Sequence, residues 1–325
     1  MIVTKTPLRI SFFGGGSDIP AFYNKHEGMV ISTSIDKHIY IALQKCVAHH
    51  FKIIYSELEL TNHRIDIKHD RIREIMNHFN INGQIELASF SDINTKGTGL
   101  GSSSTFTAGA LNAIMTMRGE KFNKRELAEL TCHIEIGKCL EPIGKQDQYA
   151  AVYGGFNVIR FNSGGVEVTP INVDYSVLQE LNDSLMIYNT GISRQASTIM
   201  TEQVKNLRED KSNIEYTNSI VDMAEVALKY LKQGHIHDFG ALLDTSWRIK
   251  KKLSSNMTND TIDELYEIGM KNGALGGKLL GAGGGGYVMF FVPQAKQGYV
   301  ADALWQYDRL NVKFTDTGSK VELNI

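Results

Sequence analysis

Apolar positions along the chain switch between a spacing of two and a spacing near 3.6, and this switching predicts the elements. Residues 1–12 alternate and then become apolar, which predicts a strand ending in the turn Gly14-Gly15-Gly16-Ser17-Asp18. Met29 to Leu43 alternates through Val30, Ser32, Ser34, Asp36, Ile39 and Ile41 and predicts strand and turn. Phe51 to Tyr55, Ile85 to Ala88, Leu185 to Tyr188 and Tyr287 to Val292 predict further short strands, and Gly154-Gly155 a turn into a strand carrying Phe156, Val158 and Phe161. Helical spacing runs from Phe106 through Ala110, Ala113, Ile114 and Met117, and again over Lys124 to Cys139, where Leu127, Leu130, Thr131 and Ile134 share a face. Ser193 to Leu207, Ile214 to Leu231, Ile236 to Leu253 and Thr261 to Lys271 complete the helices. The pattern predicts an α+β architecture with a boundary near Pro170 to Ser184, dividing the chain into 1–175 and 176–325.

Composition narrows the function classes. A chain of 325 residues suggests two domains, and 42% hydrophobic with 22% charged residues is ordinary for a globular protein with an ample core. A formal net charge of −2 argues against binding nucleic acid through bulk electrostatics, so no nucleic-acid partner is expected. Cys46, Cys132 and Cys139 lack CxxC spacing and cannot all pair, so reduced thiols in a cytoplasmic protein are expected. Lys5, Pro7 and Arg9 precede any apolar run, unlike a signal peptide, and Tyr287 to Val292 is too short to span a bilayer, so no membrane partner is expected either.

Candidate chemistry starts with Gly97-Thr98-Gly99-Leu100-Gly101-Ser102-Ser103-Ser104, which runs directly into a helical pattern. Three glycines let successive N–H groups turn toward one point, and the helix dipole favours an anion there. The serine hydroxyls suit capping, or a metal carried by a phosphate. The plain alternative is a flexible Gly/Ser linker. Gly281 to Gly286 contains G-x-G-x-x-G, but it precedes a strand where a dinucleotide fingerprint must follow one, so it predicts bare backbone pressed against a ligand or another turn. No Gly-Lys-Ser/Thr phosphate loop and no protein-kinase signature is present. Phosphoryl transfer to a hydroxyl needs a carboxylate kept ionised near the alcohol. Asp147, in the polar loop Gly144 to Gln148, offers one, and Glu135 a second oxygen ligand for a metal. Taken singly, each acid has a plain alternative as a solvated surface carboxylate.

In combination these stretches resemble the superfamily of galactokinase, homoserine kinase, mevalonate kinase and phosphomevalonate kinase, the GHMP kinases. Its three motifs occur in order: Pro7 to Asp18, Gly97 to Ser104, and Lys278 to Gly286. Arg9 to Asp18, Gly144 to Gln148 and Thr190 to Arg194 are most similar to the branch acting on heptose 7-phosphate, and bacterial fucokinases are similar at the same places. The resemblance implies an N-terminal nucleotide-binding domain like ribosomal protein S5 and a ferredoxin-like C-terminal domain. It implies ATP and Mg2+ as cofactors, Asp147 as the base and Arg9 as the cation beside it. Ser103 and Glu135 would hold magnesium. Gly97, Gly99, Leu100, Gly101, Ser102, Ser103 and Ser104 would hold the nucleotide phosphates; Lys96, outside the family pattern, is either a further phosphate contact or simply solvent-facing. Asp18, Gly16, Ser17, Gly191, Arg194, Gly283 and Gly284 would meet the substrate. The family usually has proline near the start of the second motif, where Thr95 and Lys96 stand here, and glutamate and histidine where Gly15 and Gly16 stand.

The expected reaction is transfer of the γ-phosphoryl group of ATP to the anomeric hydroxyl of a heptose 7-phosphate, for a cell-surface glycan precursor. A second phosphate calls for an arginine fork, and Arg194 at the head of a helical segment is the best candidate; Lys25 and the Lys250-Lys251-Lys252 run are weaker ones, since a lysine triplet on a helix reads more simply as a solvated face. His49-His50 and His235-x-His237 lack the spacing of a metal site. Rival readings are an anomeric kinase for an unphosphorylated sugar such as L-fucose, and a sugar and nucleotide sensor without turnover. A homodimer is one allowed assembly.

Overall fold

The computed structural model describes residues 1–95, 97–193 and 196–325, without the side chain of Ala196. Strands β1 (Ile2–Phe13) and β2 (Gly28–Lys45) are joined by the Gly14 to Ser17 turn and a short helix α1 (Pro20–Tyr23). β3 (Phe51–Ile54), β4 (Leu58–Thr61) and α2 (Asp70–His78) lead to β5 (Ile85–Ser91). Three helices follow, α3 (Ser102–Met117), α4 (Lys124–Cys132) and α5 (Gln146–Tyr153), then the hairpin β6 (Phe156–Asn162) and β7 (Gly165–Pro170). The rest of the chain holds α6 (Tyr175–Asp183), β8 (Leu185–Asn189), α7 (Ala196–Glu209), α8 (Lys211–Gln233), α9 (Ile236–Lys250) and α10 (Asp260–Lys271). It ends with β9 (Gly276–Leu279), β10 (Tyr287–Phe291), α11 (Gln297–Ala303), β11 (Arg309–Leu310), β12 (Phe314–Thr315) and β13 (Lys320–Asn324).

The first sheet runs β13-β1-β2-β5-β3-β4, with β12 and β6 also on β2 and β7 on β6. Its neighbours are antiparallel except β3 with β5. The second sheet is antiparallel, in the order β11-β8-β10-β9. Residues 314–324 thus return to the first sheet, and the strand pairing does not follow a cut between 175 and 176. Among the described residues no helix is long and apolar enough to cross a membrane.

Helix α3 is buried on every side from Ser104 to Met115, as a helix apolar all round must be. Small residues allow this close fit: a Cβ on Gly109 would stand 3.0 Å from the Thr6 Oγ1, and the Thr4 hydroxyl donates to the Gly109 carbonyl at 2.9 Å. The helix is thereby pinned across β1, which fixes the position of the glycine turn at its head. Helix α9 lies on the end of β1: the Phe239 ring packs edge-on against Phe12 at 5.5 Å and Phe13 at 5.1 Å between centroids. Full burial of such a ring contributes about 2 kcal/mol. Lys278 of β9 adds a polar tie, its Nζ donating to the carbonyls of Ser11 at 2.9 Å and Phe12 at 3.1 Å.

Several expectations change. β2 is one long strand without the anticipated turn, because β1, β5, β6 and β12 pair along it. The helix expected over Lys124 to Cys139 stops being α-helical at Cys132 and continues as a π-helical stretch, His133–Lys138. Gly144 to Gln148, read as a loop, contains the start of α5. β9 was hidden in a glycine-rich run, since its strand character comes from pairing with β10 and not from its side chains.

Candidate active site

The glycine turn takes its shape from alternation. Gly97, Gly99 and Gly101 all have positive φ, at 68°, 74° and 76°, between ordinary residues. Gly101 is also the N-cap of α3, and a Cβ on it would stand 3.0 Å from the Arg9 Cγ. The arginine stem therefore lies against bare backbone. Its own main chain is held there too, the Arg9 N–H donating to the Leu100 carbonyl at 3.0 Å.

The Arg9 guanidinium grips Asp147 with a fork, Nε to Oδ1 and Nη2 to Oδ2 both at 2.8 Å, while Nη1 donates to the Gly99 carbonyl at 2.6 Å. Arg9 is 3% exposed and the Asp147 side chain 25%. Such a bidentate pair fixes the orientation of a carboxylate. Asp147 sits in the first turn of α5, so this helix start and the glycine turn face each other through one arginine.

Both sit on one cavity of about 990 Å³. Gly97, Gly99, Gly101, Ser102 and Ser103 line one side, with Arg9 and Asp147 beside them. Asp18 and Gly16 form another part of the wall. Asp18 is 2% exposed; its Oδ1 accepts from the Gly16 N–H and the Gln146 Nε2, each at 3.0 Å, and its Oδ2 from the Gln146 N–H at 3.1 Å. Burial pushes the Asp18 carboxyl up from its ordinary range, against the pull of those amides. The second half of the chain contributes Ser193, Lys250 and Gly281.

Other expected residues stand elsewhere. Leu100 is fully buried behind the turn, and Ser104 points inward to Glu135. Ser17 is buried, its hydroxyl donating to the carbonyls of Gly14 at 2.8 Å and Met29 at 3.2 Å, so it shapes the turn and does not face the cavity. Gly283 packs on Met257 and the Gly284 N–H donates to the Met257 carbonyl at 2.9 Å; neither lines the cavity, whereas Gly281 and Ala282 do. Gly281 presses on the glycine turn ahead of α3: a Cβ there would stand 2.4 Å from the Gly99 Cα. Gly191 is exposed and off the cavity wall. Lys96 and Arg194 lie outside the described residues.

Glu135 is the main correction. It is fully buried in the π-helical stretch, and its two oxygens accept from four groups. Ser104 Oγ and Gln148 Nε2 donate to Oε2, both at 2.7 Å; Thr107 Oγ1 at 2.7 Å and Arg71 Nε at 3.1 Å donate to Oε1. Arg71 also pairs with Glu141 at 2.5 Å. A magnesium ion shared by Ser103 and Glu135 does not fit this donor set, because both Glu135 oxygens already accept from four donors and Glu135 is not on the cavity wall. Among the described residues no group of three or more His, Cys, Asp or Glu side chains is placed to hold a metal.

Two buried polar side chains on the cavity wall go beyond the sequence reading. Lys250 belongs to the lysine triplet read as solvated, yet it is 7% exposed, its Nζ donates to the Gly281 carbonyl at 3.1 Å, and burial pushes its amine down to about 8. Gln203 of α7 is 2% exposed and carried no signal at all.

The fold and this arrangement are those of a small-molecule kinase: a glycine turn at a helix start facing an arginine-bound aspartate. The chain belongs to the GHMP kinases, matching the model of their N-terminal domain over residues 68–155 and that of their C-terminal domain over 227–306. It is therefore a phosphotransferase, of a family that takes its phosphoryl group from ATP. D-glycero-alpha-D-manno-heptose 7-phosphate kinase of Campylobacter jejuni is 32% identical, over 93% of this chain and 95% of that protein. L-fucokinase/L-fucose-1-P guanylyltransferase of Bacteroides fragilis is 26% identical, over 90% of this chain and 35% of that protein. The crystal structure of a D-glycero-D-manno-heptose 1-phosphate kinase from Bacteroides thetaiotaomicron superposes with a TM-score of 0.82 over 100% of both chains at 23% identity, which speaks to the fold.

Proposed function

We propose that this protein transfers the γ-phosphoryl group of ATP to the anomeric hydroxyl of D-glycero-D-manno-heptose 7-phosphate, giving the 1,7-bisphosphate, in the cytoplasm and toward a cell-surface glycan precursor. One observation carries the reaction class: Asp147, held by the Arg9 fork, shares a cavity wall with the glycine turn at the head of α3. In this reading the turn's amides hold the phosphate tail, and Asp18 accepts from a sugar hydroxyl. Asp147 takes the proton of the anomeric hydroxyl as its oxygen bonds to the γ-phosphorus and the bond to the leaving ADP breaks. The choice of sugar is supported by the Campylobacter relative, which aligns along nearly the whole chain. We assign the substrate's own phosphate to Arg194.

The Bacteroides fragilis relative supports a second reading, L-fucose as acceptor. Coupled assays with purified protein and both sugars separate the two. Turnover on heptose 7-phosphate, lost in Arg194→Ala, is expected; turnover on L-fucose alone, unaffected by that change, sinks the first reading. ATP binding without transfer to either would favour a sensor.

A further inference from the structure

Two adjacent glycines on the cavity wall are each overlain by a polar side chain from the second half of the chain. A Cβ on Gly15 would stand 3.3 Å from the Lys250 Nζ, and one on Gly16 would stand 2.5 Å from the Gln203 Nε2. A side chain at Gly16 would require the Gln203 amide to move, and one at Gly15 would crowd the Lys250 ammonium, so glycine here leaves room for a long polar side chain opposite.

Both groups have bonding capacity left. The cations lining the cavity among the described residues are Arg9, Arg71 and Lys250. Arg9 is engaged at all three nitrogens by Asp147 and Gly99, and Arg71 by Glu135 and Glu141. Lys250 has three N–H donors, and the Gly281 carbonyl takes one. The Nε2 of Gln203 has no partner among the described residues, and neither does the buried Oε1 of Gln146, whose amide nitrogen donates to Asp18. Buried amides left unpaired are unfavourable, and a ligand hydroxyl, donor and acceptor at once, completes them.

We propose that Lys250 is a catalytic cation meeting the phosphoryl group in flight, and that Gln203 is a specificity residue donating to a hydroxyl of a polyol acceptor. The proposal rests on the acceptor-kinase reading above. As the acceptor oxygen bonds to the γ-phosphorus and the bond to ADP breaks, charge spreads over the equatorial phosphoryl oxygens, and a preorganised ammonium in a dry site stabilises it there. Gln203 contributes to acceptor binding equally before and during transfer.

The two roles separate kinetically. Lys250→Met should lower kcat about a hundredfold, the usual loss for one such donor, while Lys250→Arg, which keeps the charge, should retain clearly more turnover. Wild-type kcat/KM, which reports the free enzyme, should fall above about pH 8 as the buried amine loses its proton, a limb absent from Lys250→Arg. The charged groups facing it are Arg9 from β1, Asp18 from the turn, Asp147 from α5 and Lys278 from β9. Gln203→Leu should raise the acceptor KM about tenfold, with kcat and the ATP KM changed less than about twofold.

Turnover of Lys250→Met within about threefold of wild type overturns the cation. If that variant does not fold, by circular dichroism, an alkaline limb persisting in Lys250→Arg does the same. An unchanged acceptor KM in folded Gln203→Leu overturns the specificity role. The comparison uses whichever sugar the wild type phosphorylates, so a wrong sugar fails the earlier reading and leaves this test standing. If no sugar is phosphorylated, acceptor-free ATP hydrolysis still reads Lys250, and the role of Gln203 falls.

Discussion

Asp147 and Glu135 are both carboxylates held by an arginine within one small region, yet they have opposite surroundings. Asp147 stands on the cavity wall, a quarter exposed, with both oxygens in one arginine fork. Glu135 is sealed behind the wall with four donors on its two oxygens. Neighbouring residues of α5 divide the labour: Asp147 faces the cavity and Gln148 turns back to Glu135. An ion pair open on one side can exchange a proton with a ligand. One fully enclosed by hydrogen bonds organises the backbone around it, and removing a partner leaves buried charge unmatched.

The difference is open to test, beginning with the largest effect. Asp147→Asn keeps the shape and removes the basicity; it should lose about 4 kcal/mol of transition-state stabilisation, roughly a thousandfold in kcat, with ATP binding by calorimetry unchanged. Near wild-type turnover would take Asp147 out of the reaction. Glu135→Gln should act on the fold instead, costing about 3 kcal/mol in denaturant unfolding, because its NH2 meets donors where an acceptor is required. Turnover per folded molecule should stay within about threefold of wild type, since less than 1 kcal/mol separates those rates. A loss of turnover that extra magnesium restores would put Glu135 at the metal and erase the contrast. Arg9→Lys keeps the charge but not the fork, and should slow turnover about thirtyfold, or 2 kcal/mol, with a raised KM for neither substrate. Thr107→Val removes one of the four donors to Glu135 and should cost about 1 kcal/mol of stability with no kinetic change.

What was legible in the sequence was local. The three glycine-rich turns, the helix after the second and the strand after the third could be read because glycine spacing and apolar period act within a few residues. Arg9 and Asp147 were assigned by resemblance, and their 2.8 Å contact needs β1 and α5 to cross, which no spacing shows. The lysine triplet reads as a weak candidate because it has no internal mark of which member turns inward; packing of α9 on the end of β1 decides that. Gln203 was invisible, since a single glutamine in a helix gains meaning only from Gly16 opposite. Glu135 was read by its chemistry as a ligand, and only its full enclosure redirects it.

The return of residues 314–324 to the first sheet sets an order for biosynthesis. β1 is synthesised before every other strand of this sheet, but the outer flank of its residues Ile2 to Lys5 has no strand partner until β13 has been made and threaded back beside it. Until then this short edge offers unpaired amides and carbonyls to any extended chain nearby. Nascent chains stalled before residue 320 should therefore be unusually dependent on chaperones, even with both halves of the catalytic cleft already synthesised.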